Sequence, residues 1–438
     1  MKTSRPKVRL GLVGLGVVGQ GVWKHVRRFR RELASKAGAE LVLHRAAVRD
    51  LSRVRDIRIP ADKLTADALA VATDPEIDVV VEVMGGLRLA REVTLAALAK
   101  GKTVVTANKA LLAEHGEEIF AAAAQGGGRV FFEAAVAGGI PIIKALREGL
   151  VANQFPIIYG ILNGTCNYIL TRMEREGKGF EEIVGDARRL GYVEADESLD
   201  LDGWDTAHKA AILAWLAHGR WITMPEMPVE GIRDVGLEDI RLAAKLGYKI
   251  KLLATIQRDL KRHTVHASVH PTLVPTSLAI SRVDEVFNGI SVTGDVVGET
   301  VYLGRGAGRD ATASAVISDI VDAALYLVFG GPPTLSATSD ESLRLAALAE
   351  VRQAFYLRLT VKDRPGVLAS IAARTAEHGL SIESVLQTPG ARRDTASLVL
   401  TTHLADEQAM RELIADLTRD RKTVLAKPLV LRIANFGG

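Results

Sequence analysis

Residues 8–19 read VRLGLVGLGVVG, and this stretch decides how the N-terminal part of the chain folds. A short apolar strand runs into Gly14, Gly16 and Gly19 in GxGxxG spacing, and a helix expected to reach about Lys36 follows. With a strand before and a helix after, each glycine has a physical job. Gly14 allows a tight turn, Gly16 lets backbone approach a pyrophosphate, and Gly19 permits helix-to-strand contact, with the helix N-terminus facing the phosphates. Working outward, LVLHRAAV (41–48), DVVVEV (78–83), KTVVTA (102–107) and RVFFEA (129–134) are further short β-rich runs separated by helical stretches. That rhythm predicts an α/β, Rossmann-like doubly wound parallel sheet over residues 1–150.

Two strand ends carry chemistry. The second strand ends in Arg49 and Asp50; an arginine there meets a 2′-phosphate and an acid holds a ribose, so NADP and NAD both stay open, with Arg49 leaning toward NADP. After the fourth strand comes TANKALLAEHG (106–116), which puts Lys109 where open α/β sheets place their ligands. A cation in a first helical turn opposes the helix dipole. Lys109 is therefore either a solvated surface lysine or one retained by an interaction at the cofactor crevice.

Farther along, LDLDGWDTAHKAAILAWLAHG (199–219) reads as a helix from Gly203 to Ala217 with Asp205 and Lys209 on the same stripe as Ile212 and Leu216. The plain reading is a surface ion pair. Against it, only Thr206 and His208 are otherwise polar in this helix, and a buried charge pair is costly unless a site requires it. An acidic run, Glu194, Asp196, Glu197, Asp200 and Asp202, leads in.

Bulk properties bound the rest. A chain of 438 residues holds two or three domains, and 48% hydrophobic with 25% charged residues describes an ordinary soluble protein. The net charge of +4 suits an anionic small molecule. The basic run KHVRRFRR (24–31) reads as a solvated helix face rather than a nucleic-acid surface. A single cysteine, Cys166, forbids an intrachain disulfide and fits a reducing cytoplasm. The start runs directly into a strand, and no uncharged apolar run approaches the ~20 residues of a membrane span, so no membrane is expected. HTVHASVH (263–270) has metal-like histidine density, but its alternation reads as a half-buried strand with a polar face.

Between about 151 and 307 the rhythm changes to an α+β pattern: a strand at IIYGI, Asn163 as N-cap, a helix to Gly177, a second helix at FEEIVGDARRLG, then the acidic approach. GRGAGRDATASAVISDIVDAALYL (304–327) is a second glycine loop entering a helix over 308–328 that returns to the first domain. A linker at 330–345 precedes β-α-β-β-α-β over about 355–432, the ferredoxin-like split order. Its loop DRPG (363–366) offers free N–H groups at a helix start, suited to a carboxylate. A plain dimerisation module is the alternative.

TANKALLA, EAAVAGGIPII, NGTCNYIL, LGYVEADESLDLDGWDTAHKAAILA and GRGAGRDATASAVISDI, in that order after GLGVVG, resemble homoserine dehydrogenase over about residues 7–330. Cys166 stands where a Thr is usual and Glu197 where a Pro is usual. The resemblance implies an oxidoreductase interconverting L-homoserine and L-aspartate 4-semialdehyde with NADP or NAD, in threonine, methionine and isoleucine biosynthesis. It implies Lys209 and Lys109 as catalytic residues and Glu194 and Asp205 as substrate contacts. The implied cofactor residues are Gly14, Gly16, Val17, Val18 and Gly19 in the first loop, with Arg49, Thr106, Lys109, Gly191 and Gly306. A monovalent cation, Na+ or K+, is implied at the backbone of Glu133, Val136, Gly138 and Ile140, although a plain glycine turn before a Pro141-led helix requires none. The chemistry agrees: an alcohol losing hydride must also lose its hydroxyl proton, which requires a base within hydrogen-bond reach. A lysine serves only when its pKa falls from roughly 10.4 toward neutrality. DRPGVLASIAARTAEHG followed by SIESV resembles an ACT domain, a regulatory amino-acid-binding module. That implies feedback by L-threonine and a homodimer or homotetramer. Two rival readings remain at this stage: another Rossmann dehydrogenase for a different amino-acid alcohol, or an amino-acid sensor without catalysis.

Overall fold

The computed structural model describes residues 5–189, 197–330, 340, 342–390 and 392–435. The first part of the chain gives β1 (Lys7–Val13), α1 (Val17–Arg28), α2 (Arg30–Ala37), β2 (Glu40–Ala47), β3 (Leu64–Thr65), α3 (Ala68–Thr73), β4 (Val79–Glu82), α4 (Arg88–Ala99), β5 (Thr103–Thr106), α5 (Lys109–Gly126), β6 (Arg129–Phe131) and the short α6 (Ile142–Lys144). Then come β7 (Ile157–Ile161), α7 (Gly164–Glu176), α8 (Phe180–Arg189), α9 (Ser198–Leu201), α10 (Trp204–His218), α11 (Leu237–Lys245), β8 (Tyr248–Asp259), β9 (Thr264–Pro275), β10 (Phe287–Gly294), β11 (Gly298–Arg305) and α12 (Arg309–Phe329). The last part holds β12 (Arg344–Leu345), β13 (Arg352–Lys362), α13 (Val367–Glu377), β14 (Ile382–Pro389), β15 (Thr395–Thr402), β16 (Ala405–Asp406), α14 (Glu407–Arg419) and β17 (Leu429–Ile433). Two compact units result, the first from Met1–Phe155, Ala207–Met227 and Phe287–Glu341, the second from Pro156–Thr206, Pro228–Val286 and Ser342–Gly438.

The first unit is built on a parallel sheet of order β3-β2-β1-β4-β5-β6, so the strand order reverses between β1 and β4. Its strands are apolar because helices cover both faces; Val79, Val80 and Val81 are wholly buried. One covering helix is α12, whose Ala313, Val316 and Ile320 share a core with Leu10 and Leu12 of β1 and Val22 and Val26 of α1. The pairing of α1 with α12 is close: a Cβ on Gly21 would lie 3.0 Å from that of Ala313. By length and composition α12 could cross a membrane; here it is a core helix of this unit. The single helix expected after the glycine loop is in fact two, broken at Phe29. The basic run offers little to bury, so Arg27, Arg28, Arg30 and Arg31 stay exposed while the bend carries Ala34 and Ala37 inward.

In the second unit a sheet runs β7-β8-β9-β17-β13-β15-β14. The segment β17-β13-β15-β14 with α13 and α14 is the ferredoxin-like module, cored by Phe355, Leu357, Leu359, Ile371, Met410 and Leu413. Its strand β17 pairs in parallel with β9. The predicted half-exposed face of β9 is absent, because Thr264 to Val274 are buried on both faces. His266 and His270 therefore sit in the interior, near Arg432 of β17 and Arg411 of α14, and His266 also near Glu407.

Candidate active site

The glycine loop of the first unit has the geometry its spacing predicts. Gly14 is left-handed, with φ 103°, and a Cβ there would lie 2.7 Å from the Met84 Cα and the Val83 carbonyl. Gly19 packs on the Gly14 carbonyl at a hypothetical Cβ distance of 2.1 Å, whereas the Cβ position of Gly16 faces open space. No side chain caps α1, and Gly16, Val17 and Val18 lie at its open start with Val17 exposed. The Gly14 N–H donates to the Ala47 carbonyl at 3.0 Å, so the end of β2 is tied to this turn. Arg49 is exposed two residues on. Asp50 beside it turns back on its own loop, accepting from the Ser52 N–H and hydroxyl at 2.8 and 2.6 Å, bonds that lower its pKa.

Lys109 opens α5 and is half-buried, while Asn108 caps the helix by accepting from the Leu111 N–H at 3.1 Å. Thr106 is fully buried, and its hydroxyl donates to Glu82 at 2.7 Å. Helix α10 lies beside α5. His208 comes within 3.9 Å of Glu114, and Trp215 stacks near Phe120 with ring centroids 4.2 Å apart. Both contacts advance in the same chain direction, so the two helices run parallel and Lys109 and Lys209 stand toward their N-terminal ends. The cluster of Phe120, Phe132, Trp215 and Trp221 locks this pairing, with Trp215 and Trp221 stacked at 4.5 Å.

Helix α10 is buried nearly all round, not along one stripe, from Asp205 to Trp215. Asp205 is 7% and Lys209 8% exposed, one helical turn apart. This burial excludes the surface ion pair reading. In the second unit Asn163, foreseen only as an N-cap, does more. It caps α7 by accepting from the Cys166 N–H at 2.8 Å and turns its Nδ2 to Asp205 at 2.9 Å and Asp200 at 2.7 Å. Cys166 takes up the position of the usual Thr by donating its thiol to the Asp200 carbonyl at 3.2 Å. Glu197, in the place of a usual Pro, accepts from Arg188 and Arg233. Glu194 and Gly191 lie outside the described residues.

The loop expected to hold a cation is buried apart from Gly139. Ala137 and Gly138 are both left-handed, with φ 53° and 50°, and the Ala137 carbonyl accepts from the Ile140 N–H. The Glu133 carboxylate is engaged by the Ile143 and Lys144 N–H groups at 2.9 and 2.8 Å. Backbone carbonyls are then the oxygens left for an ion at Glu133, Val136, Gly138 and Ile140, and neutral oxygens fit a monovalent cation. Gly306 packs on this turn: a Cβ on Gly138 would lie 2.4 Å from the Gly306 carbonyl.

A glycine turn at a strand-order reversal, two lysines at helix starts beside it and a buried carboxylate on the same helix as one of them define a nicotinamide-dependent dehydrogenase. Comparison with known proteins narrows this. Residues 141–321 match the family described as homoserine dehydrogenase, residues 14–133 its NAD binding domain, and residues 355–421 the ACT domain. The chain is 43% identical to the homoserine dehydrogenase of Pseudomonas aeruginosa over 94% of its length and 95% of that protein. It superposes on a homoserine dehydrogenase from Thiobacillus denitrificans with a TM-score of 0.92, 41% identity and coverage of 99% and 100%. A hyperthermophilic archaeal homoserine dehydrogenase solved in complex with NADPH matches with a TM-score of 0.63 and 26% identity, over 75% of this chain and all of that one. The chain belongs to the homoserine dehydrogenase family, an oxidoreductase family of amino-acid biosynthesis, and carries an ACT domain.

Proposed function

We propose that this enzyme interconverts L-homoserine and L-aspartate 4-semialdehyde in the cytoplasm, with Lys209 moving the proton and Asp205 holding the substrate. The observation that carries the reading is the burial of Asp205 and Lys209 on one turn of α10. In the oxidising direction the substrate hydroxyl gives its proton to the Lys209 amine as the carbon–oxygen bond becomes a carbonyl; in reverse Lys209 donates it back. The nicotinamide ring, when bound, supplies or accepts the hydride. Lys109, at the mouth of the crevice, raises the local positive potential and so favours a neutral Lys209. Asp205, with Glu194, suits the substrate's ammonium and hydroxyl. Gly14, Gly16 and Gly19 with the start of α1 receive the pyrophosphate, Gly191 and Gly306 adjoin the nucleotide, and Arg49 favours NADP through its 2′-phosphate. Carbonyls of Glu133, Val136, Gly138 and Ile140 hold Na+ or K+ and stiffen the turn under Gly306. The direct test is the absorbance change at 340 nm with homoserine and NADP; no homoserine-dependent change would overturn the reading.

The ACT domain is the proposed sensor of L-threonine. Gly366 starts α13 at φ 88° with no side-chain cap, which leaves first-turn N–H groups for an amino-acid carboxylate. An enzyme of at least two subunits is supported by the apolar side chains that β11 exposes, Leu303 at 64% and Val301 at 41%. Gly366→Asp places a like charge at the threonine site in a residue that tolerates left-handed backbone and caps helices. Its activity should persist while inhibition by threonine is lost; retained inhibition would move the sensor elsewhere.

A further inference from the structure

Glu82 ends a strand whose other residues are all valine, and its side chain is fully buried. The Thr106 hydroxyl donates to one carboxylate oxygen at 2.7 Å and the Met84 N–H to the other at 3.0 Å. The Gly85 N–H and the Asn108 side chain complete the set. All four partners donate, so the site is built for the ionised acid, since a protonated carboxyl would have to donate back. Burial pushes the group's pKa up and these bonds push it down.

What the bonds hold matters more than the charge. Met84 and Gly85 belong to the loop after β4, and Thr106 and Asn108 to the loop after β5. Thr106 in turn accepts from the Asn108 N–H at 3.0 Å, and Asn108 donates to the Gly86 carbonyl at 2.7 Å while capping the helix that Lys109 opens. The turn after β1 leans on the same loop, through the Val83 N–H to the Val13 carbonyl at 2.9 Å and the contact of Gly14 with Met84. These three loops rim the crevice at the strand-order reversal, where dinucleotides bind in such sheets.

We propose that Glu82 is the positioning residue of the cofactor site: one buried carboxylate fixes the loops at 83–86 and 106–108, and through Asn108 the start of the helix bearing Lys109. Glu82 does not touch the cofactor; it sets where the loops that do so stand. The inference rests on the crevice being the cofactor seat, so NADPH titration of the wild-type chain, followed by fluorescence, is the control that tests that seat by itself. Glu82→Gln turns an amide NH2 on a cluster of donors and should weaken NADPH binding by about 10-fold or more, as expected for an unsatisfied buried polar group. Thr106 supplies the second arm and serves even where Glu82→Gln does not fold. Thr106→Val preserves shape and loses the hydroxyl, whereas Thr106→Ser retains the hydroxyl and loses a methyl. Positioning through the hydrogen bond requires Ser to stay within about 2-fold of the wild-type affinity and Val to fall about 5-fold or more. A packing role requires the reverse order. Wild-type NADPH affinity in Glu82→Gln, or Val binding as tightly as Ser, would overturn the proposal.

Discussion

Lys209→Ala is expected to lower kcat by about 100-fold or more with cofactor affinity nearly unchanged, the pattern of a lost general acid or base. Steady-state kinetics with NADPH titration checks it, and near-normal turnover would remove Lys209 from the mechanism. Asn163→Asp is a sharper probe of the substrate end. Aspartate caps a helix as well as asparagine, so α7 keeps its start. The variant nevertheless loses both Nδ2 bonds and adds a third carboxylate to Asp200 and Asp205. The KM for homoserine should rise about 10-fold while the KM for NADP moves less than about 2-fold. Equal changes in both would mean that Asn163 matters only for folding. At this scale the sequence was legible where a residue type and its spacing carry the chemistry, as with Gly14, Gly16, Gly19 and Lys209. The second roles of Asn163 and Glu82 were not legible, since each acts on groups distant in the chain: Asp205 is 42 residues from Asn163 and Thr106 is 24 from Glu82.

Among the elements, β9 shows what period alone leaves out. Alternation of Val265, Ala267 and Val269 with His266, Ser268 and His270 predicts a strand, and a strand forms. It is silent on what covers the polar side, because that cover includes Arg432 from a strand more than 150 residues later. Burial lowers the His266 pKa from 6.5 to about 4 and that of His270 well below its usual value; Arg432 and Arg411 add to the shift, Glu407 opposes it at His266, and the His266 Nε2 finds no partner among the described residues. The unfolded chain therefore binds more protons than the folded one between pH 6.5 and about 4. Stability is whole above pH 6.5 and is lost as the pH falls through that window. Urea midpoints measured from pH 7.5 down to 5.0 should decline, and His266→Gln should flatten the decline. A midpoint independent of pH, or the same slope in the variant, would count against this account.

On the scale of the whole molecule, the ACT domain is no detachable appendage. Beyond the β17–β9 pairing, Arg358 of β13 and the Tyr356 hydroxyl both donate to the buried Asp239 of α11, and Arg432 bonds Glu407 and Glu230. From Glu230 the chain continues toward the substrate end. Gly231 packs on Leu201, the Ile232 N–H donates to the Leu201 carbonyl at 2.9 Å, and Arg233 holds Asp202 and Glu197. Asp200 of that same segment meets Asn163. A threonine response needs some element that both sites bias, and this run of contacts is one. Cutting the chain within 330–342, which from sequence promises an active enzyme deaf to threonine, would also uncover the edge of β9 and strip Glu230 of its arginine. Glu230→Gln is the milder test. It should reduce the threonine-induced shift in homoserine KM by about 5-fold, within the usual span of coupling energies, and alter threonine-free turnover little. An undiminished shift would place the coupling elsewhere.

The discontinuity of the first unit has a cost during synthesis. Strands β1 to β6 are complete by Phe131, yet α12, which shares their core, ends only at Phe329. At a ribosomal pace of about 5–20 residues per second, roughly 10 to 40 s pass in which one apolar face of the nucleotide sheet waits for its cover. A fragment ending at residue 305 should accordingly bind the dye ANS and aggregate, and in the cell the nascent chain is a client for chaperones that shield apolar surface until α12 emerges.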